Sequence, residues 1–203
     1  ESFLFYFSGY NSSQMDFDNF IQKPGLVVVF TGEGKGKTSA ALGLMCRALG
    51  AGWSVAFLQF IKHWEVNEHK FINQISSLYK QKVYFYKGGK GFYKAKRLSA
   101  KNVSHQEHKQ AALTTYEIAL ETVSSGNYGL VVCDEINNAI HDGLLPAKSL
   151  KELISKRHPN TSLCLTGRHF PTKFIDSVDI VTNMTKIKHH FDDGYIASEG
   201  IDY

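Results

Sequence analysis

Residues 26–50 constrain this chain more than any other stretch. The apolar run LVVVF (26–30) enters a turn with glycines at 32, 34 and 36. Beyond the turn, Ala40, Ala41, Leu44 and Ala48 recur at helical spacing, and Gly50 and Gly52 are suited to end the helix. A short continuous apolar run fits a strand buried on both faces of a parallel sheet. Strand, tight turn and helix in that order bend the backbone N–H groups from Gly32 to Thr38 into a concave ring, which glycines permit. The helix adds its N-terminal dipole and unpaired N–H groups. Lys37 supplies a full positive charge, and the Thr38 hydroxyl suits Mg²⁺. The turn therefore reads as a phosphate-binding loop, with Gly32, Glu33, Gly34, Lys35, Gly36, Lys37, Thr38 and Ser39 as candidate nucleotide contacts. A helix dipole contributes roughly 0.3–1 kcal/mol, whereas a hydrogen bond to a charged group contributes about 1.5–3 kcal/mol. Loss of Lys37 is thus expected to cost more than loss of any single glycine, unless that glycine's conformation is forced. The loop departs from the usual G-x-x-x-x-G-K-[ST] pattern at one place: Thr31 stands where the first glycine belongs.

The rest of the chain repeats the strand–helix alternation. SVAFLQFI (54–61), VYFY (83–86), GLVVCDE (129–135), TSLCLTG (161–167) and VDIVTNM (178–184) read as further strands. Helices are expected over 64–79, from Ser104 to Ser125, near 136–141 and over 146–157, and the basic stretch 87–101 reads as a mobile loop. Alternation of this kind calls for an α/β fold. The expectation is one RecA-like, P-loop NTPase-like domain over residues 21–203, a mostly parallel sheet of about six strands with helices on both faces. Residues 1–20 form an N-terminal extension, with either a natural start at Met15 or a segment that docks on a partner through Phe3, Phe5, Tyr6 and Phe7.

Asp134 and Glu135 close the fourth apolar strand, the position of the second carboxylate-bearing motif of phosphate-loop enzymes. A carboxylate there can hold the hydration shell of a Mg²⁺ or Mn²⁺ ion, with Thr38, Asp134 and Glu135 as the candidate metal set and Lys37 and Glu135 assisting the chemistry. The plainer alternative is a strand-ending Asp that caps the next turn. Charge adds little: 23 Lys+Arg against 19 Asp+Glu give +4, but eight basic residues and no acid fall between Tyr79 and Lys101. The remainder is slightly acidic, so the total does not signal a polyanion-binding surface. Three well-separated cysteines, Cys46, Cys133 and Cys164, form neither a disulfide framework nor a zinc spacing, which suits a reducing, cytoplasmic setting. No run approaches the roughly 18–20 apolar residues of a membrane span.

These residues resemble the ATP:corrinoid adenosyltransferases of cobalamin biosynthesis and salvage. The markers are FTGEGKGKTSAALGLMCRALG (30–50), VAFLQFIK (55–62), GKGF (89–92), VVCDEINNAI (131–140), LTGRH (165–169) and KHHFDDGYIASEGIDY (188–203). Thr31 in place of the first glycine is itself family-like. The resemblance implies transfer of the 5′-deoxyadenosyl group of ATP to the cobalt(I) of a reduced corrinoid, with triphosphate as leaving group and no protein nucleophile. It implies ATP, Mg²⁺ and corrinoid as ligands, a flavoprotein reductant, and a homodimer whose N-terminal segment can cover the neighbouring site. Arg47, on the loop's helix, is either a nucleotide contact or a solvated, ion-paired side chain. On the corrinoid side the resemblance carries over Phe92; the tryptophan position that follows it in the best-known members holds Lys94, and Tyr93 is a candidate substitute. Phe92 and Tyr93 are otherwise loop aromatics folding onto the core. Arg168 binds phosphate or a corrinoid side chain, or makes a structural salt bridge.

Two other classes remain to be distinguished. A P-loop ATPase or small-molecule kinase acting on the γ-phosphate explains Lys37, Thr38, Asp134 and Glu135 but not QFIK, GKGF or the tail. A nucleic-acid-binding module would use the aromatic and basic residues of 79–101, although nucleic acid is not the expected partner. His105, Glu107 and His108 read as surface residues, and Lys188, His189, His190, Asp192 and Asp193 as a solvated tail rather than a metal site.

Overall fold

The first strand, β1 (Val27–Thr31), buries its three valines, and the loop after it leads into helix α1 (Lys37–Gly50). A computed structural model describes residues 20–79, 82–91, 93 and 103–203. The expectations for residues 1–19, Phe92 and Lys94 lie outside the described residues. The other strands are β2 (Val55–Gln59), β3 (Val83–Lys87), β4 (Leu130–Asp134), β5 (Ser162–Thr166) and β6 (Ile180–Asn183). All neighbouring pairs are parallel, in the order β3-β2-β4-β5-β1-β6. The α/β fold expected from the strand–helix alternation is therefore the observed one.

Helices cover both faces because each strand of the centre is apolar on both. α1 lays Ala41, Met45, Ala48 and Leu49 against Val55, Phe57, Val132 and Cys164 on one face. Helix α2 (Asn67–Leu78) adds Ile72 to the same face. The other face carries helices α3 (His105–Ser124), α4 (Ile136–His141) and α5 (Lys148–Lys156) over Val27, Val29, Ala56, Leu58, Val131 and Leu163. Two short 3-10 segments, Thr172–Ser177 and His190–Asp193, were not legible from periodicity.

α3 starts at Ser104 because a capping box satisfies its first turn: the Ser104 hydroxyl accepts from the Glu107 amide at 3.2 Å, and Glu107 accepts from the Ser104 amide at 2.8 Å. Glu107 therefore has a structural job. His108 corrects its expected surface position: it is 5% exposed on the packed face of α3, with Tyr93 at 5.4 Å between ring centroids.

The described part of the basic stretch also differs from a mobile loop. The Gly88 amide donates to the Gln59 carbonyl at 3.0 Å and the Gly91 amide to the Ile61 carbonyl at 2.8 Å, so this segment continues alongside the end of β2. Gly89 is buried, and a Cβ there would collide with the Ile61 carbonyl. Only glycine permits that approach.

Candidate active site

The carboxyl ends of the strands bring the candidate residues together, where open parallel sheets place their sites. Gly36 caps α1 in the left-handed region at φ 108°, and Gly32 sits at φ 98°. The loop is pressed on the end of β6. The Gly34 amide donates to the Met184 carbonyl at 2.6 Å, and a Cβ on Gly34 would stand 2.7 Å from that same oxygen. Thr31 explains its departure from glycine. Its backbone is still strand, and its hydroxyl accepts from the Phe170 amide at 3.2 Å, tying the β5 exit to the start of the loop.

Lys37 Nζ donates to the carbonyls of Gly32 and Gly34, each at 2.7 Å. Burial, and then the nearby Arg168 guanidinium, lower its pKa from the ordinary lysine value. Lys35 reaches the C-terminal tail and pairs with Asp202 at 2.8 Å. Glu33 faces Arg168 at 3.3 Å. Ser39 is exposed in the first turn of α1.

β1 and β4 are not neighbours, since β5 runs between them. Its last residue, Thr166, anchors the acidic end of β4. Its hydroxyl donates to Asp134 Oδ1 at 2.7 Å and accepts from the Glu135 amide at 2.9 Å. Asp134 Oδ1 also accepts from the Thr38 hydroxyl at 3.0 Å, so the loop and the acidic strand end are directly bonded. Gln59 Nε2 donates to Oδ2 at 3.2 Å, and Lys62 Nζ lies 3.9 Å from it. Asp134 is completely buried.

Glu135 adopts φ 64°, a left-handed conformation that disfavours a side chain with a Cβ. The bend turns its carboxyl inward. Oε2 is buried without a hydrogen-bond partner among the described residues, and burial together with the Asp134 charge pushes the pKa up to about 7. A buried unsatisfied carboxyl oxygen beside a second carboxylate calls for a partner. Lys62 supplies part of the compensation: burial works to lower its pKa, but Asp134, Glu135 and Glu68 outweigh that and raise it. Thr38, Asp134 and Glu135 offer hard oxygen donors at one place, and that donor set fits Mg²⁺.

The asparagines after Glu135 hold the β5 exit. Asn137 Nδ2 donates to the Gly167 carbonyl at 3.3 Å, and Asn138 Oδ1 accepts from the Arg168 amide at 2.7 Å. Gly167, at φ 124°, leaves no room for a Cβ against Asn138. Arg168 is thus delivered beside the loop.

A model of the ATP:corrinoid adenosyltransferase family BtuR/CobO/CobP matches residues 23–203. The chain belongs to this family. Among curated relatives, a corrinoid adenosyltransferase of Pseudomonas aeruginosa is 31% identical over 180 residues, covering 88% of this chain and 84% of that protein. The corrinoid adenosyltransferase CobA of Salmonella typhimurium is 28% identical over 183 residues, covering 90% and 87%. One from a Sinorhizobium species is 30% identical over 180 residues, covering 88% and 80%. As a corrinoid adenosyltransferase, the chain is a transferase.

Not every expected residue converges on the site. Arg47 is exposed in the last turn of α1, ten residues from Lys37, about 15 Å along a helix. Tyr93 packs against His105 at 5.0 Å and against the core. In the tail, His190 lies 3.4 Å from Asp202, and Lys186 pairs with Asp192 at 2.7 Å. The sequence reading missed Gln59, Lys62, Glu68, His69 and Thr166 as site residues. The available signals were a polar residue ending an apolar strand, as at Gln59 and Thr166, and the markers VAFLQFIK and LTGRH that contain Gln59, Lys62 and Thr166. No helix among the described residues is long and apolar enough to cross a membrane.

Proposed function

We propose that this chain transfers the 5′-deoxyadenosyl group of ATP to the cobalt(I) of a reduced corrinoid and releases triphosphate. The cobalt(I) electron pair forms the bond to carbon 5′, the C5′–O bond breaks, and its electron pair leaves with the triphosphate. Cobalt ends two electrons more oxidised, so no protein nucleophile is needed. The observation that carries this reading is the meeting of two segments at Asp134. The loop reaches it through Thr38 at 3.0 Å, and the glycine segment 88–91 reaches the same place through β2, whose Gln59 holds both the Gly88 amide and Asp134.

In this reading the loop amides and Lys37 hold the triphosphate, and Thr38, Asp134 and Glu135 would hold Mg²⁺. The ion, when bound, supplies positive charge that stabilises the leaving triphosphate. Lys37 gives up its two backbone acceptors for phosphate oxygens, while Arg168, bonded to Glu33 across the loop mouth, adds charge toward phosphate or corrinoid. Phe92 remains the corrinoid contact that the family resemblance carries over, and Arg47 serves elsewhere than the loop. The catalytic contribution is positioning and electrostatic stabilisation of the leaving group. The reading includes a flavoprotein reductant, a homodimer and a cytoplasmic setting.

Anaerobic incubation with ATP, Mg²⁺ and chemically reduced cobalamin tests it. The expected result is conversion of the cobalt(I) spectrum to that of an alkylcobalt species with one triphosphate per cobalt. Appearance of ADP and phosphate in its place would show γ-phosphate chemistry, the alternative reading.

A further inference from the structure

The first turn of α2 is bonded at three consecutive residues, one to the C-terminal tail and two to the side chains that face Asp134. Asn67 Nδ2 donates to the Tyr203 carbonyl at 3.0 Å, Glu68 accepts from Lys62 at 2.6 Å, and His69 meets Gln59 at 2.6 Å. The last of these belongs to a fully buried chain: His69 is 3% exposed and Gln59 0%. The Val66 amide donates to His69 Nδ1 at 3.3 Å, so that nitrogen is the acceptor. The ring proton therefore sits on Nε2 and is donated to Gln59 Oε1. With its carbonyl so engaged, the Gln59 amide must present its NH₂ group to Asp134 Oδ2, at 3.2 Å. Reversing the amide would set two acceptors against each other at Asp134 and two donors at His69, both without access to water. The Phe85 ring, 5.3 Å from the imidazole, limits its rotation.

We propose that His69 is a positioning residue for the phosphate site: through Gln59 it holds the Asp134 carboxylate in the orientation that meets Thr38. Thr166 fixes Oδ1 at 2.7 Å and Gln59 donates to Oδ2; without Gln59, Oδ2 retains the longer contacts to Thr38 at 3.3 Å and Lys62 at 3.9 Å, and the orientation of the carboxylate loosens. This rests on the reading of Thr38, Asp134 and Glu135 as the Mg²⁺ and triphosphate end of the site. The strand ending QFIK thereby gains a role: its glutamine is the middle link between helix α2 and the acidic strand end.

The test measures binding of ATP to the full-length chain by calorimetry, with and without Mg²⁺ and without corrinoid. His69→Gln carries an amide nitrogen to about the place of Nε2, whereas His69→Asn ends near Nδ1 and leaves Gln59 without its donor. The Asn variant is expected to bind ATP at least tenfold more weakly with Mg²⁺ and within twofold of wild type without it. The Gln variant should recover Mg²⁺-dependent binding to within threefold. Long-range ¹H–¹⁵N spectra of the wild-type protein should show His69 protonated at Nε2 alone, a readout that does not depend on any variant folding. Equal behaviour of the two variants, or a proton on Nδ1, would overturn the proposal while leaving adenosyl transfer untouched. Wild-type ATP binding that is indifferent to Mg²⁺ would overturn the underlying site reading and the proposal with it.

Discussion

At the scale of single residues, Glu135 is where local physics and chemistry conflict most openly. Its backbone is left-handed and its Oε2 unsatisfied, and burial beside Asp134 lifts its pKa from 4.5 to about 7. A raised carboxyl pKa means that the fold holds the proton more tightly than the unfolded chain does. The cost to stability is therefore absent below about pH 4.5, grows between 4.5 and 7, and is complete above 7. Glu135→Gln should stabilise the protein in EDTA by about 2–3 kcal/mol at pH 8 and leave it nearly unchanged at pH 4.5, as read by urea unfolding. A difference that does not vary with pH would contradict this. Gly34 makes the complementary case. A methyl group there meets the Met184 carbonyl, so Gly34→Ala should destabilise the fold by about 1–3 kcal/mol through overpacking, as thermal unfolding would show. The expected ranking of Lys37 above any single glycine is thus qualified at Gly34 by a contact with Met184, which lies 150 residues away in sequence. Composition made the loop legible; no local pattern could reveal what presses on it.

At the scale of elements, the strands and helices were legible because their apolar periods are unbroken. Val27–Val29 and Leu130–Asp134 are buried on both faces, and α1 repeats its buried residues every three to four positions. Strand order was not legible, and it decides the site. With β5 between β1 and β4, Thr166 becomes the bridge between Asp134 and Glu135. Thr166→Val keeps the shape but strands the Glu135 amide, which should cost about 1–3 kcal/mol of stability. Denaturant titration would check this, and an unchanged midpoint would refute the bridge. The fate of His108 and Tyr93 was hidden for a similar reason. A histidine near a helix start reads as exposed unless one knows that the glycine segment folds back onto that face.

At the scale of the whole molecule, the C-terminal tail closes a circuit. It runs from Lys35 of the loop through Asp202 to Tyr203, then through Asn67 to α2, and through Gln59 to Asp134 and Thr38. The tail markers carried the family resemblance, but their contact with the loop appears only in three dimensions. Lys35 chiefly, with the Ser198 amide, lowers the Asp202 pKa from 3.8 to about 2. A lowered carboxyl pKa contributes stability that is present above about pH 3.8 and lost as the pH falls through 2. Asp202→Asn should therefore be less stable than wild type at pH 6 in low salt, with the gap closing toward pH 2. The partly exposed pair is screened by added salt. Equal stability of the two proteins at pH 6 would remove the clasp from the account.

Adenosyl transfer makes one bond, between cobalt and carbon 5′ of ATP. ATP labelled with ¹³C at that carbon, incubated anaerobically with the protein, Mg²⁺ and reduced cobalamin, tests it most directly by ¹³C NMR of the separated corrinoid. The label should appear in the corrinoid product as a cobalt-bound methylene, with unlabelled triphosphate released in equal amount. Label retained in ADP or unreacted nucleotide, with the corrinoid unlabelled, would contradict it.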